Sequence, residues 1–203
     1  MNRPVGLVAL SVMHETKQRL IAAGLRLMLE RGYNALGVQD VLTETGIPKG
    51  SFYHHFASKE DFALAVIDAY QGQIYAMLSA SLGDRHHPPL ERVRRFFESA
   101  RDAYASEGYL GCLLGGLGQE LSGASEVFRH KIDGCLASVA SHLAVCLEEA
   151  RANGSLPSSC DPRATADLLV NAWEGAALRS RLGRTQKPLN AVLDFCFAAM
   201  AAS

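Results

Sequence analysis

No stretch of this chain approaches 18 consecutive apolar residues, so no segment reads as a membrane-spanning helix. Paired CxxC spacings are missing too. The five cysteines, Cys112, Cys135, Cys146, Cys160 and Cys196, are odd in number and scattered, which speaks for reduced thiols in a cytoplasm rather than a secreted disulfide framework. Positive charge is not in excess: 20 Lys and Arg face 21 Asp and Glu, for a net charge of −1. That excludes a wholly basic nucleic-acid coat but leaves room for a local DNA-reading surface. There is no HExxH, no GxSxG, no phosphate loop and no dinucleotide fingerprint, so the common enzyme classes find no support. The adjacent pairs His54-His55 and His86-His87 splay rather than share a metal, and His142, four residues before Cys146, reads as core spacing. No metal and no other cofactor is expected.

What the chain does have is helix-forming sequence. It has 203 residues, 48% of them hydrophobic, with alanine and leucine abundant and strand formers scattered. The first convincing helix spans about His14 to Arg31, with Leu20, Ile21, Gly24, Leu25 and Met28 as its apolar stripe and Gly32 placed for a left-handed cap. The apolar stretch Gly6–Met13 is short and preceded only by Arg3, so residues 1–13 read as a flexible arm, or as lying upstream of a true start at Met13. Short helices follow at Val38–Glu44 and Pro48–His55, separated by Gly46. Ser58 reads as the N-cap of a helix that runs to about Leu82, with Asp61 able to bond back to it. Further helices are expected at Leu90–Ser106, Leu113–Leu121, Ser125–Asn153, Pro162–Leu182 and Pro188–Ala201, with a loop at Gly83–Pro89. The fold class is therefore all-α, with about nine helices. The expected organisation is an arm at 1–13, a helix-turn-helix domain at 14–61, and a ligand-binding and dimerisation domain at 62–203.

The segment Val38–Phe56 has the order of a helix-turn-helix: a short helix, a glycine turn and a second short helix able to lie in a major groove. Lys49 can neutralise a phosphate, and Gly50 allows close backbone approach to DNA. Ser51, Tyr53, His54 and His55 offer hydroxyls and ring nitrogens at groove depth. Phe52 and Phe56, four apart, face inward as anchors.

The run Pro48-Lys-Gly-Ser-Phe-Tyr-His-His-Phe-Ala-Ser-Lys-Glu-Asp-Phe62 resembles the recognition-helix signature of TetR-family repressors. Gly32-Tyr33, the Gly46 turn and Lys59 also fit that resemblance, which is strong over residues 14–65 and looser over the rest. It implies phosphate contacts from Lys49, Tyr53 and Lys59, and approach to base edges by Gly50, Ser51 and His54. One departure stands out. The family often opens helix two with Thr or Ser, where this chain has Gly37-Val38, so that phosphate contact is not carried over. The implied partners are double-stranded operator DNA, a small-molecule effector and a second copy of the chain, joined through the last two helices as a four-helix bundle.

Two more segments, Tyr109-Leu-Gly-Cys-Leu-Leu-Gly-Gly-Leu-Gly-Gln-Glu120 and Asn171-Ala-Trp-Glu-Gly-Ala-Ala-Leu-Arg-Ser-Arg-Leu182, are similar to acrylate-responsive repressors of acrylate and dimethylsulfoniopropionate metabolism. They are more loosely similar to electrophile-sensing repressors that control maleimide reductases. The resemblance implies a small α,β-unsaturated effector. The local chemistry is compatible, because Cys112 falls where a helix begins, a setting that favours thiolate. Cys112 is equally readable as a small buried hydrophobe, and the other four cysteines read as core. Trp173, Phe97, Tyr104 and Gln119 are candidate ligand residues beside Cys112, and Phe128 is a further candidate for the pocket wall. Arg179, Gln119 and Tyr104 are candidates to hold an effector carboxylate. The alternatives to a metabolite-responsive repressor are a cysteine-based redox or electrophile sensor that still binds DNA, and a small helical enzyme.

Overall fold

The computed structural model describes residues 5–201, with side chains described from His14 to Met200. Among these residues there are nine helices and no strand. They are α1 (Val5–Arg31), α2 (Val38–Thr45), α3 (Lys49–His55), α4 (Lys59–Leu82), α5 (Pro89–Ser106), α6 (Leu113–Leu121), α7 (Glu126–Ala152), α8 (Pro162–Gly183) and α9 (Lys187–Ala201). No helix among the described residues is long and apolar enough to cross a membrane. Most ends fall within a residue or two of the expected ones, because the signals that set them are local. Gly32 (φ 81°) and Gly46 (φ 66°) take the left-handed conformation that glycine adopts without a side-chain penalty, and each donates its N–H back to the preceding turn. Ser125 and Asp161 cap α7 and α8 by accepting the N–H of Phe128 and Ala164, and Pro162 opens α8 where no N–H is needed.

Two local details differ from expectation. Helix α1 begins at Val5 rather than near His14, so the stretch read as an arm is helical from Val5 onward, while residues 1–4 lie outside the described residues. No proline interrupts residues 5–31, and leucine, alanine and methionine there carry low helical cost. At the start of α4, Ser58 Oγ accepts the Asp61 N–H (3.0 Å) as expected, but the Asp61 carboxylate reaches one residue further back, to the N–H of Ala57 (3.0 Å).

The described residues divide into two compact units, one up to Tyr70 and one from Gln71 on, so the division falls inside α4. In the first unit, α1 packs on α2 and α3 around buried Leu20, Leu27, Met28, Leu36, Val41, Phe52, Phe56, Phe62 and Ile67. Leu25, read as part of that stripe, is half-buried. In the second unit, α7 packs against α5, α6 and α8, and α8 packs against α9. Its interior holds Phe97, Leu114, Leu117, Phe128, Leu143, Leu147, Leu169, Trp173 and Leu193. Cys135 and Cys146 lie in that interior as expected. Cys160 and Cys196, read as core from the sequence, are only half-buried: Cys160 lies in the loop between α7 and α8, and Cys196 lies on α9.

Candidate functional site

Helix α3 is two turns long and is held from beneath by aromatic rings. Phe52 lies 5.4 Å from Phe56 and 5.2 Å from Phe62, centroid to centroid, and Phe56 lies 5.0 Å from Phe62. All three are essentially out of contact with water. Burying three phenyl rings in one cluster contributes several kcal/mol by area alone and fixes which face of the helix points outward. That outward face carries Lys49, Gly50, Tyr53 and His54, all exposed, with Ser51 and His55 half-buried at its margins. The two histidine rings meet edge to face with centroids 5.3 Å apart.

The charges of this unit are sorted by type. Among the described residues its arginines are spent internally: Arg19 donates to the Thr45 carbonyl (2.9 Å), Arg26 pairs with Glu30 and Glu44, and Arg31 lies 3.6 Å from Asp40. Its lysines instead rest on aromatic rings. Lys49 Nζ lies 5.9 Å from the Tyr53 ring, Lys59 Nζ 4.1 Å from Tyr33, and Lys17 Nζ 5.6 Å from Phe56. An ammonium over a ring face keeps its charge and its donors available to a second partner. Lys17 was not singled out from sequence. It sits one helix away from α3, and only the packing of α1 brings its charge up to His55. Burial, then the charges of His54 and Lys17, hold the His55 pKa below the ordinary histidine value.

In the second unit the sequence candidates separate. Phe97, Tyr104 and Trp173 are brought together and buried, with Phe97 4.9 Å and Tyr104 6.1 Å from Trp173 between ring centroids. Phe128 is buried in α7. Gln119 and Arg179 are exposed and stand outside this buried group. Cys112 is buried and occupies the N-cap position of α6. The link leading to it is conformationally unusual: Gly108, Tyr109 and Gly111 all have positive φ, at 73°, 63° and 80°. For tyrosine this conformation is strained, and such strain often accompanies functional segments. The link is fastened to α8 by Arg181, which donates to the Leu110 carbonyl (2.9 Å).

One residue of this site escaped the sequence reading. The Cys112 thiol donates a hydrogen bond to the carboxylate of Glu174, next to Trp173 on α8. Burial drives the Glu174 carboxyl above the ordinary glutamate value, and the Cys112 bond opposes that rise only in part. The carboxylate also occupies the space that a side chain at Gly115 would fill, in the first turns of α6. A lone glutamate amid a helix has no local partner and reads as solvated surface. The available signal was its spacing: Glu174, Ala177 and Arg181 fall at offsets 0, 3 and 7, the face that meets the 110–115 segment. The other histidine and cysteine candidates have partners of their own, His142 at the Ser138 carbonyl (2.8 Å) and Cys146 at the Pro89 carbonyl (3.3 Å).

Residues 20–66 match the profile of the bacterial regulatory proteins of the tetR family, and residues 89–195 that of the tetracyclin repressor-like C-terminal domain. The chain is 39% identical to the transcriptional regulator AcuR of Cereibacter sphaeroides, over 93% of this chain and 85% of AcuR. It is 33% identical to the HTH-type transcriptional repressor DhaR of Mycobacterium sp. (strain GP1), over 91% of each. The solved structure of Escherichia coli NemR in its reduced form superposes with a TM-score of 0.83 at 32% identity, covering 90% of this chain and 95% of NemR. The chain belongs to the TetR family of bacterial regulatory proteins, which are DNA-binding transcription regulators and not enzymes.

Proposed function

We propose that this TetR-family chain is a homodimeric repressor whose two α3 helices enter successive major grooves of a near-palindromic operator, roughly 34 Å apart. The observation that carries this reading is the exposed α3 face of Lys49, Gly50, Tyr53 and His54, clamped by the Phe52, Phe56 and Phe62 cluster and flanked by Lys17 and Lys59. Lys49, Tyr53 and Lys59 position the protein on phosphates; Gly50, Ser51, His54 and His55 approach the bases. Repression as the sign of regulation is supported by the names of DhaR and NemR. The dimer forms through α8 and α9, where Leu168, Leu178, Leu182 and Phe195 stand exposed.

The effector is a small α,β-unsaturated carbonyl compound that enters the second unit beside Cys112 and the Phe97, Tyr104 and Trp173 rings. Release of DNA follows when effector binds the DNA-incompetent state more tightly; a hundredfold release needs about 2.7 kcal/mol of such preference. An electrophoretic shift with DNA flanking the gene tests the first part, and a specific, salt-sensitive complex is the expected result. Addition of acrylate or an enal to that complex, with wild type and Cys112→Ser, tests the second. Release by peroxide alone would replace metabolite sensing with thiol oxidation, a reading that the description of NemR as a reduced form keeps in view.

A further inference from the structure

Cys112 and Glu174 form a pair that a buried structural cysteine does not need. The thiol already has an oxygen acceptor, and that acceptor is the half-buried carboxylate of Glu174. Desolvating a carboxylate is costly, and the Cys112 bond offsets only part of that cost. The neighbours of the pair make room for it. Gly115 has no side chain, and any β-carbon there would collide with the Glu174 carboxylate. Trp173, the residue before Glu174, is seated against Phe97 and Tyr104. The thiol and the carboxylate thus meet from α6 and α8, one residue along α8 from the Trp173 that joins the Phe97 and Tyr104 rings.

From this geometry, and resting on the effector reading given above, we infer that Glu174 is the proton acceptor for Cys112 and that it restricts the effector to uncharged α,β-unsaturated carbonyl compounds. The step balances within the pair. As sulfur bonds to the β-carbon of the alkene, the S–H proton passes to a Glu174 oxygen and the π pair moves onto the carbonyl as an enolate. Glu174 then returns the proton to the α-carbon, leaving a thioether and a regenerated carboxylate. The raised pKa of Glu174 narrows its gap to a thiol and eases that transfer. The same carboxylate repels an anion brought into this low-dielectric setting. A neutral amide, enal or enone meets no such repulsion, whereas acrylate does. Glu174 therefore sets both the rate of capture and the charge of what is captured.

The test measures adduct formation on the full-length protein by intact mass and peptide mapping, with acrylamide as the neutral probe and acrylate as the anionic one. Each rate is divided by that of the same probe with N-acetylcysteine, which removes intrinsic reactivity. In wild type the normalised acrylamide rate should exceed the acrylate rate by about tenfold or more. Glu174→Gln should slow acrylamide by about tenfold and speed acrylate, so the two normalised rates converge. Gly115→Ala displaces the carboxylate without removing its charge. It should slow acrylamide while acrylate stays excluded, and it keeps the inference open to refutation if the glutamine variant folds poorly. Parallel changes in both probes, or none, would overturn the role of Glu174 while leaving Cys112 as the reactive thiol. Adducts that form elsewhere, or equally in Cys112→Ser, would overturn the effector reading itself and this inference with it.

Discussion

The Phe62 ring occupies the space beside Gly24 that any larger residue there would need. A β-carbon at Gly24 would overlap Phe62 Cζ and come within 2.9 Å of both Phe62 Cε1 and Val66 Cγ2. Phe62 in turn packs on Phe52 and Phe56, so the absence of a single methyl group in α1 lets α4 support the recognition helix.

Gly24→Ala should therefore destabilise the protein by roughly 1–3 kcal/mol even though alanine is the better helix former, because overpacking a filled core outweighs a propensity gain of about 1 kcal/mol. Thermal denaturation checks the sign; a more stable variant would show that Phe62 yields easily.

Lys49→Ala and His54→Ala should fail in different ways. Loss of Lys49 should weaken binding to all DNA sequences alike and lower the salt slope by about one per protomer. Loss of His54 should change which operator bases are preferred, at about 1–3 kcal/mol for the affected base. Binding isotherms against an operator library at two salt concentrations separate the two, and a uniform loss from both variants would erase the division between positioning and reading residues.

Arg92 is almost fully buried, donates to the Leu82 carbonyl (2.7 Å) and pairs with Glu149, which also receives Arg85. The hydrogen bond from Arg92, more than any other influence, holds the Glu149 carboxyl below the ordinary glutamate value. A depressed folded-state pKa means that this stabilisation is present above the unfolded value of 4.5 and is lost as pH falls through the folded one. Glu149→Gln should cost roughly 3 kcal/mol at pH 7 by leaving a buried guanidinium short of its counter-charge. The deficit should shrink as both proteins are taken below pH 4, which urea unfolding at several pH values will show.

Glu174 has the opposite sign. Its folded-state pKa lies above 4.5, so its ionisation opposes folding progressively as pH rises from 4.5 through the raised value. Glu174→Gln should melt higher than wild type at pH 7.5 and about level with it at pH 4. Equal melting temperatures at both pH values would show that the carboxylate pays no desolvation cost.

Leu182 and Phe195 are 69% and 76% exposed, unusually high for large apolar side chains in a folded protein. Leu182→Asp with Phe195→Asp should yield a monomer by sedimentation with unchanged helical content, and should abolish tight operator binding because two half-sites can no longer be engaged together. A double variant that remains dimeric would place the interface elsewhere.

The sequence by itself determined where the helices start and stop, the beginning of α1 at Val5 excepted. Gly32, Gly46, Ser58, Ser125 and Asp161 each act within one turn of backbone, so their effect does not depend on the rest of the fold. It also determined the identity of the recognition helix, whose inward Phe52 and Phe56 and outward Lys49, Tyr53 and His54 follow from helical periodicity alone. Tertiary structure alone decided which distant residues meet. Lys17 reaches the end of α3, Trp173 joins Phe97 and Tyr104, and Glu174 accepts a hydrogen bond from Cys112, while Gln119 is left in solvent. Periodicity gives the face of a helix but not its rotation and axial offset against a neighbour, and those come from how large and small side chains interlock across the contact. Cys112, legible in the sequence as a thiol at a helix start, gained its chemistry only when α8 set a carboxylate against it.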